Sequence, residues 1–191
     1  MEKLIIEARI NEYTMRDQNP NVPWTADEIA GDAAECREAG AAILHFHARQ
    51  ADGSPDFTYE AVRDVVLASR DSCDMLIHPT LGYGRLDAGA EERMDNIIRL
   101  AADARTRPDF APMDMGSTNV DWYDPEGHRY LTKGLIYSNG TDVLEYFAET
   151  IRHHGITPYL TAWNIGFTRQ IGAFLDMGLL RAPAYVCFSL T

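Results

Sequence analysis

Three cysteines, Cys36, Cys73 and Cys187, are all that the 191 residues contain. They form no C-x-x-C pair and leave an odd thiol if two join, which excludes a disulfide scaffold and points to a reducing compartment. Positive charge is also scarce: 17 Lys and Arg stand against 29 Asp and Glu, a net charge of -12. A grip on nucleic acid or anionic lipid needs a cationic face, so no nucleic-acid or membrane partner is expected. Long apolar runs are missing too; the N-terminal run Leu4 to Ile6 stops at Glu7, and no stretch nears the ~20 residues that cross a bilayer. No G-x-G-x-x-G follows that first run, which removes support for a dinucleotide fold. There is no low-complexity segment and no linker. With 46% hydrophobic and 24% charged residues the chain reads as one globular, cytoplasmic domain over residues 1–191.

What is present is a regular alternation. Apolar runs suited to strands lie at 4–9, 42–48, 75–79, 110–115, 157–162 and 185–190, and between them helical periodicity covers 26–39, 58–70, 90–102, 142–154 and roughly 167–177. Thr25 and Glu28 form a capping box, Gly40 sits where a helix ends, and Thr141 precedes Asp142 as an N-cap. Strand followed by helix, repeated, predicts right-handed crossovers and a parallel sheet. The strand starts are about 36 residues apart, so eight units would need about 290 residues, near the ~250 typical of a TIM (β/α)8-barrel. The expectation is therefore an α/β chain carrying the first six strands of such a barrel, with strands seven and eight absent. The irregular stretch 116–140 reads as an elaborated loop after the fourth strand, and loops of that length in a compact domain are commonly functional.

In a strand, residues two apart face the same way, so His45 and His47 project from one side. Two converging imidazoles are a metal-binding pair, for which zinc is well suited; two hydrogen-bonded core histidines are the alternative. The pair lies at the C-terminal end of a parallel strand, the pole where barrel active sites are built. At the same pole, H-P-T-L-G-Y-G (78–84) and M-D-M-G-S-T-N (113–119) offer hydroxyls and backbone amides that could cradle a carboxylate or phosphate. Glu7 and Arg9 share a strand face, and either enter the site or form an internal ion pair. Asp114 either supplies a carboxylate ligand or packs beneath its loop. Asn164 and Arg169 follow the fifth strand at this pole, while His128, His153 and His154 lie in a loop and at a helix C-terminus.

The runs I-I-E-A-R-I-N-E (5–12), N-P-N-V-P-W-T (19–25), E-A-G-A-A-I-L-H-F-H-A-R (38–49), D-G-S-P (52–55), H-P-T-L-G (78–82) and D-F-A-P-M-D-M-G-S-T-N (109–119) make the whole chain resemble the β-keto acid cleavage enzyme family, typified by 3-keto-5-aminohexanoate cleavage enzyme. The resemblance implies a zinc-dependent TIM barrel, usually a homo-oligomer, that cleaves a β-keto acid with acetyl-CoA as co-substrate to give acetoacetate and a new acyl-CoA. It makes His45 and His47 the zinc ligands, puts Thr80 and Gly82 in the loop that holds the substrate carboxylate, and puts Ser117 and Asn119 in the loop that lines the substrate. The family's third zinc ligand, a glutamate, and the acidic and arginine residues of its reaction fall beyond Thr191, so no catalytic residue is assigned. Where better-known members carry glutamates on the fifth strand this chain has Thr161 and Asn164, which implies a neutral or polar uncharged keto acid.

Two other readings compete. A metallohydrolase of the amidohydrolase type also uses H-x-H in a TIM barrel, but on the first strand and with further histidines after strands five and six, where this chain has none. An inactive, truncated metal-binding fragment is the third, since six strands leave two edges exposed.

Overall fold

The computed structural model describes residues 4–81 and 88–189. Six strands run parallel: β1 (Glu7–Arg9), β2 (Ile43–Phe46), β3 (Leu76–Pro79), β4 (Phe110–Asp114), β9 (Thr157–Ala162) and β10 (Tyr185–Phe188). Helices α1 (Ala26–Glu38), α2 (Tyr59–Ser72), α3 (Ala90–Ala101), α4 (Thr141–His153) and α5 (Ile165–Asp176) alternate with them. The capping box expected at Thr25 and Glu28 opens α1, and Gly40, at φ +105°, follows its end. The expected cap at Thr141 shifts by one residue: Gly140 is the N-cap and Thr141 the first helical residue. The fifth helix begins at Ile165, earlier than its apolar period suggests, because the Asn164 side chain accepts from the N–H groups of Gly166 and Phe167.

The strands form two three-stranded sheets, β1-β2-β3 and β4-β9-β10. Asp109 ties the edge of one to the edge of the other. The Asp109 N–H donates to the Ile77 carbonyl (3.0 Å), and the Ile77 N–H donates back to the Asp109 carboxylate (2.8 Å). The strand order is therefore that of a TIM-type α/β fold, and among the described residues nothing closes the circle between β10 and β1.

Alternation along each strand separates two environments. Leu44, Phe46 and Ile77 turn outward onto Ile29, Ala33, Val62, Val65 and Val66 of α1 and α2. Ala111, Met113, Leu160 and Ala162 do the same against Met94, Ile97, Leu144, Phe147 and Phe167. Ile43, Phe110 and Tyr159 fill the inner side below the site. The stretch after β4 is not the irregular loop its composition suggests. It folds as a ribbon in which β5 (Thr118–Asn119) pairs with β8 (Ile136–Tyr137), and β6 (Tyr123–Asp124) with β7 (Arg129–Tyr130).

Candidate active site

Parallel register sets the inner side chains in rows. Arg9 stands beside His45 and His45 beside His78, while Asp114, Thr161 and Cys187 form a row on the second sheet. Both rows line a cavity of about 660 Å³, together with Glu12, His47, Thr80 and Trp163.

The Nε2 atoms of His45 and His47 lie 3.3 Å apart. Two nitrogens each ~2.0–2.1 Å from one tetrahedral zinc ion are themselves about 3.3 Å apart, so the imidazoles are spaced as a ligand pair. A carboxylate meets them: Glu12 Oε2 is 3.2 Å from His47 Nε2, and Oε1 is 3.7 Å from His45 Nε2. Two imidazoles and a carboxylate fit zinc in number, type and spacing. The His45 Nδ1 lies 2.9 Å from the His78 carbonyl, which places a proton on Nδ1 and leaves the Nε2 lone pair free for the ion. Burial, and then the neighbouring His78, His47 and Arg9, hold the His45 pKa well below its ordinary value, so the ring is neutral. Among the described residues the buried Nδ1 of His47 has no hydrogen-bond partner, and Tyr13 meets that ring edge-on at 4.8 Å. Burial by itself would raise the Glu12 pKa; the hydrogen bond to His47 and the charges of His47 and Arg9 outweigh it and keep the carboxylate ionised.

Glu12 was not among the residues singled out from the sequence. Its one signal is position: an acid directly after the first strand, at the pole of the H-x-H pair, inside the run 5–12.

Behind the pair, His78 Nδ1 lies 2.9 Å from Glu7 Oε1, and the Tyr159 hydroxyl donates to Glu7 Oε2. The His78 ring stacks on Tyr159 with centroids 4.0 Å apart. Arg9 Nε lies 3.7 Å from Glu7, so the internal ion pair exists and borders the cavity. Burial would raise the Glu7 pKa, but the hydrogen bonds from His78 and Tyr159 and the charge of Arg9 bring it below the usual carboxylate value. Glu7, His45 and His78 also come close enough to hold an ion. His45 Nδ1 and His78 Nδ1 are already engaged there, which favours the set with Glu12.

On the opposite row, Asp114 accepts from the Tyr137 hydroxyl (2.8 Å) and from Trp163 Nε1 (3.2 Å), and Thr161 also bonds to it. Arg93 donates to the Tyr137 hydroxyl (3.2 Å) and to Asn139 (2.8 Å). Burial raises the Asp114 pKa despite these donors.

Of the residues expected at the substrate, Thr80 lines the cavity, and Gly82 lies outside the described residues. Three others are not brought to its wall. The Ser117 hydroxyl accepts from the Asn139 N–H (2.8 Å), Asn119 bonds to Asp121 (2.8 and 2.9 Å), and Asn164 caps α5.

The model of the β-keto acid cleavage enzyme family matches residues 3–191. The chain belongs to that family. Among relatives of this family member, a 3-keto-5-aminohexanoate cleavage enzyme of Acetoanaerobium sticklandii is 36% identical over 190 residues, covering 98% of this chain and 63% of that protein. A 3,5-dioxohexanoate:acetyl-CoA acetone transferase of Paraburkholderia graminis is 24% identical over 181 residues, covering 88% of this chain and 56% of that protein. The apo structure of ObcA shares the fold, with a TM-score of 0.67 at 15% identity over 87% of this chain and 36% of that one. This family member thus spans less than two thirds of the length of these curated relatives.

Proposed function

We propose that the chain carries the metal half of a zinc-dependent β-keto acid cleavage enzyme, which exchanges acyl groups between a β-keto acid and acetyl-CoA to give acetoacetate and an acyl-CoA. The observation that carries this reading is the convergence of His45, His47 and Glu12 on one point of a cavity, in a member of this family. His45 and His47 would hold the zinc, with the Glu12 carboxylate beside them and the family's third ligand outside residues 1–191, and the bound ion would supply a Lewis-acid charge that stabilises negative charge developing on a substrate oxygen by several kcal/mol. Breaking the bond between the α and β carbons of a keto acid develops such charge. Thr80, with Gly82, holds the substrate carboxylate in this reading, and Leu81, Val120, Phe147 and Trp163 line the cavity with apolar surface that excludes water.

Asp114 lines the cavity opposite the histidines with its carboxyl engaged by Tyr137, Trp163 and Thr161, which leaves it poorly placed to take up an ammonium group. That supports a neutral or polar uncharged keto acid. In the same reading the six parallel strands are the first six of an eight-stranded barrel, and proton transfer is supplied from outside this chain; the greater length of the relatives supports both. Exposed Trp122, Tyr123, Tyr130 and Leu131 on the ribbon offer an apolar surface suited to a homo-oligomer.

Acetoacetate release from a panel of β-keto acids, with and without acetyl-CoA, tests the reading. CoA-dependent release, fastest with uncharged substrates, is expected. Release that needs no CoA ester would refute the transfer, and a preference for amino-bearing substrates would refute the specificity.

A further inference from the structure

The two imidazoles of the pair are held in different ways. His45 lies inside β2, where parallel neighbours on both sides fix its backbone, and its ring is oriented by the contact of Nδ1 with the His78 carbonyl. His47 lies one residue past the end of β2, and among the described residues its Nδ1 has no such contact. A ligand histidine is ordinarily oriented through that second ring nitrogen. For His47 the placement has to come through the backbone instead. On that side β1 ends at Arg9, opposite His45, and a turn follows in which the Thr14 N–H donates to the Asn11 carbonyl (3.0 Å). Asn11 supplies the missing strand neighbour with its side chain: Oδ1 accepts from the His47 N–H (2.9 Å), and Nδ2 donates to the His47 carbonyl (2.8 Å). Nδ2 also donates to the Pro23 carbonyl (3.2 Å), and the whole residue is buried. Both donors and the acceptor of the carboxamide are thus committed to backbone, a set that neither a carboxylate nor a hydroxyl reproduces.

We infer that Asn11 is a positioning residue of the metal centre: its carboxamide extends the pairing of β1 with β2 by one step, fixes the His47 backbone, and so sets the 3.3 Å spacing of the two Nε2 atoms. The inference rests on the zinc reading above, and within it only on the histidine pair. Asn11 matters to the ion through His47 alone.

Zinc affinity by competition with chelators of graded strength, the visible spectrum of the cobalt-substituted protein and urea unfolding of the zinc-free protein separate the possibilities. Asn11→Ala should weaken zinc binding about 10–100-fold and alter the cobalt spectrum. In a double-mutant cycle, adding Asn11→Ala to His47→Ala should bring little further loss. Asn11→Asp keeps an acceptor for the His47 N–H but sets a carboxylate against two carbonyls, and should not restore binding. Should Asn11→Ala fail to fold, Asn11→Ser keeps a hydroxyl at this position and enters the same cycle. A merely structural role would lower stability in urea and leave zinc affinity and the cobalt spectrum unchanged. That result, or an equal loss with and without His47, would overturn the positioning role while leaving the zinc site standing. Unchanged affinity in His45→Ala and His47→Ala alike would overturn both.

Discussion

His45 links the stability of the fold to the readiness of the site. In an unfolded chain its ring takes a proton near pH 6.5, whereas burial holds the folded-state value well below that. His78 is shifted the same way by burial, which outweighs the opposing pull of Glu7. Below about pH 6.5 the unfolded state therefore binds more protons than the folded one, and stability falls as pH falls. Glu7 and Glu12, held below 4.5, add a second loss that begins only beneath that value. Urea unfolding of the zinc-free protein should show declining stability from pH 6.5 towards 5, and His45→Gln should flatten the decline. A flat profile in the native chain would contradict the buried, neutral imidazoles. Asp114→Ala would remove the acceptor of Trp163 Nε1 and one of the Tyr137 hydroxyl's partners, and should cost about 1–3 kcal/mol by the same assay. At this scale the sequence disclosed what periodicity can disclose. His45 and His47 share a face because strands repeat every two residues. Glu12 escaped because it arrives through a turn with positive φ, which no repeat encodes. Ser117 and Asn119 carry the donors a substrate cradle needs, yet in the structure those groups satisfy the backbone and neighbours of their own ribbon.

Elements were legible where side chains cap or alternate over several turns. Thr25 and Glu28 mark the start of α1 in sequence and in structure alike. The ribbon after β4 was not legible, because its strands are two residues long and too short for alternation to register. Asn164 separates two roles with one experiment. It was expected to touch substrate, whereas its side chain caps α5 at two N–H groups. Asn164→Ala should lower stability by about 1 kcal/mol and leave KM for the keto acid unchanged. A rise in KM at native stability would restore the substrate role.

Across the whole molecule the alternation of strand and helix was enough to read a parallel α/β architecture, and register then brought Arg9, His45 and His78 into one row. The join at Asp109 was beyond sequence reading, since it depends on a side chain acting as a strand neighbour. Beyond β1 and β10 the described residues add no further strand, and Leu4, ahead of β1, and Phe188, the last residue of β10, are 84% and 61% exposed. Amide exchange in this chain should accordingly be fastest in β1 and β10 among the six strands and slowest in β2 and β9; equal protection throughout would show the edges to be covered. The most direct test of the metal centre is elemental analysis of the protein purified without chelators. One zinc per chain is expected, lost on His45→Ala and on His47→Ala; zinc content unchanged in both variants would contradict the site.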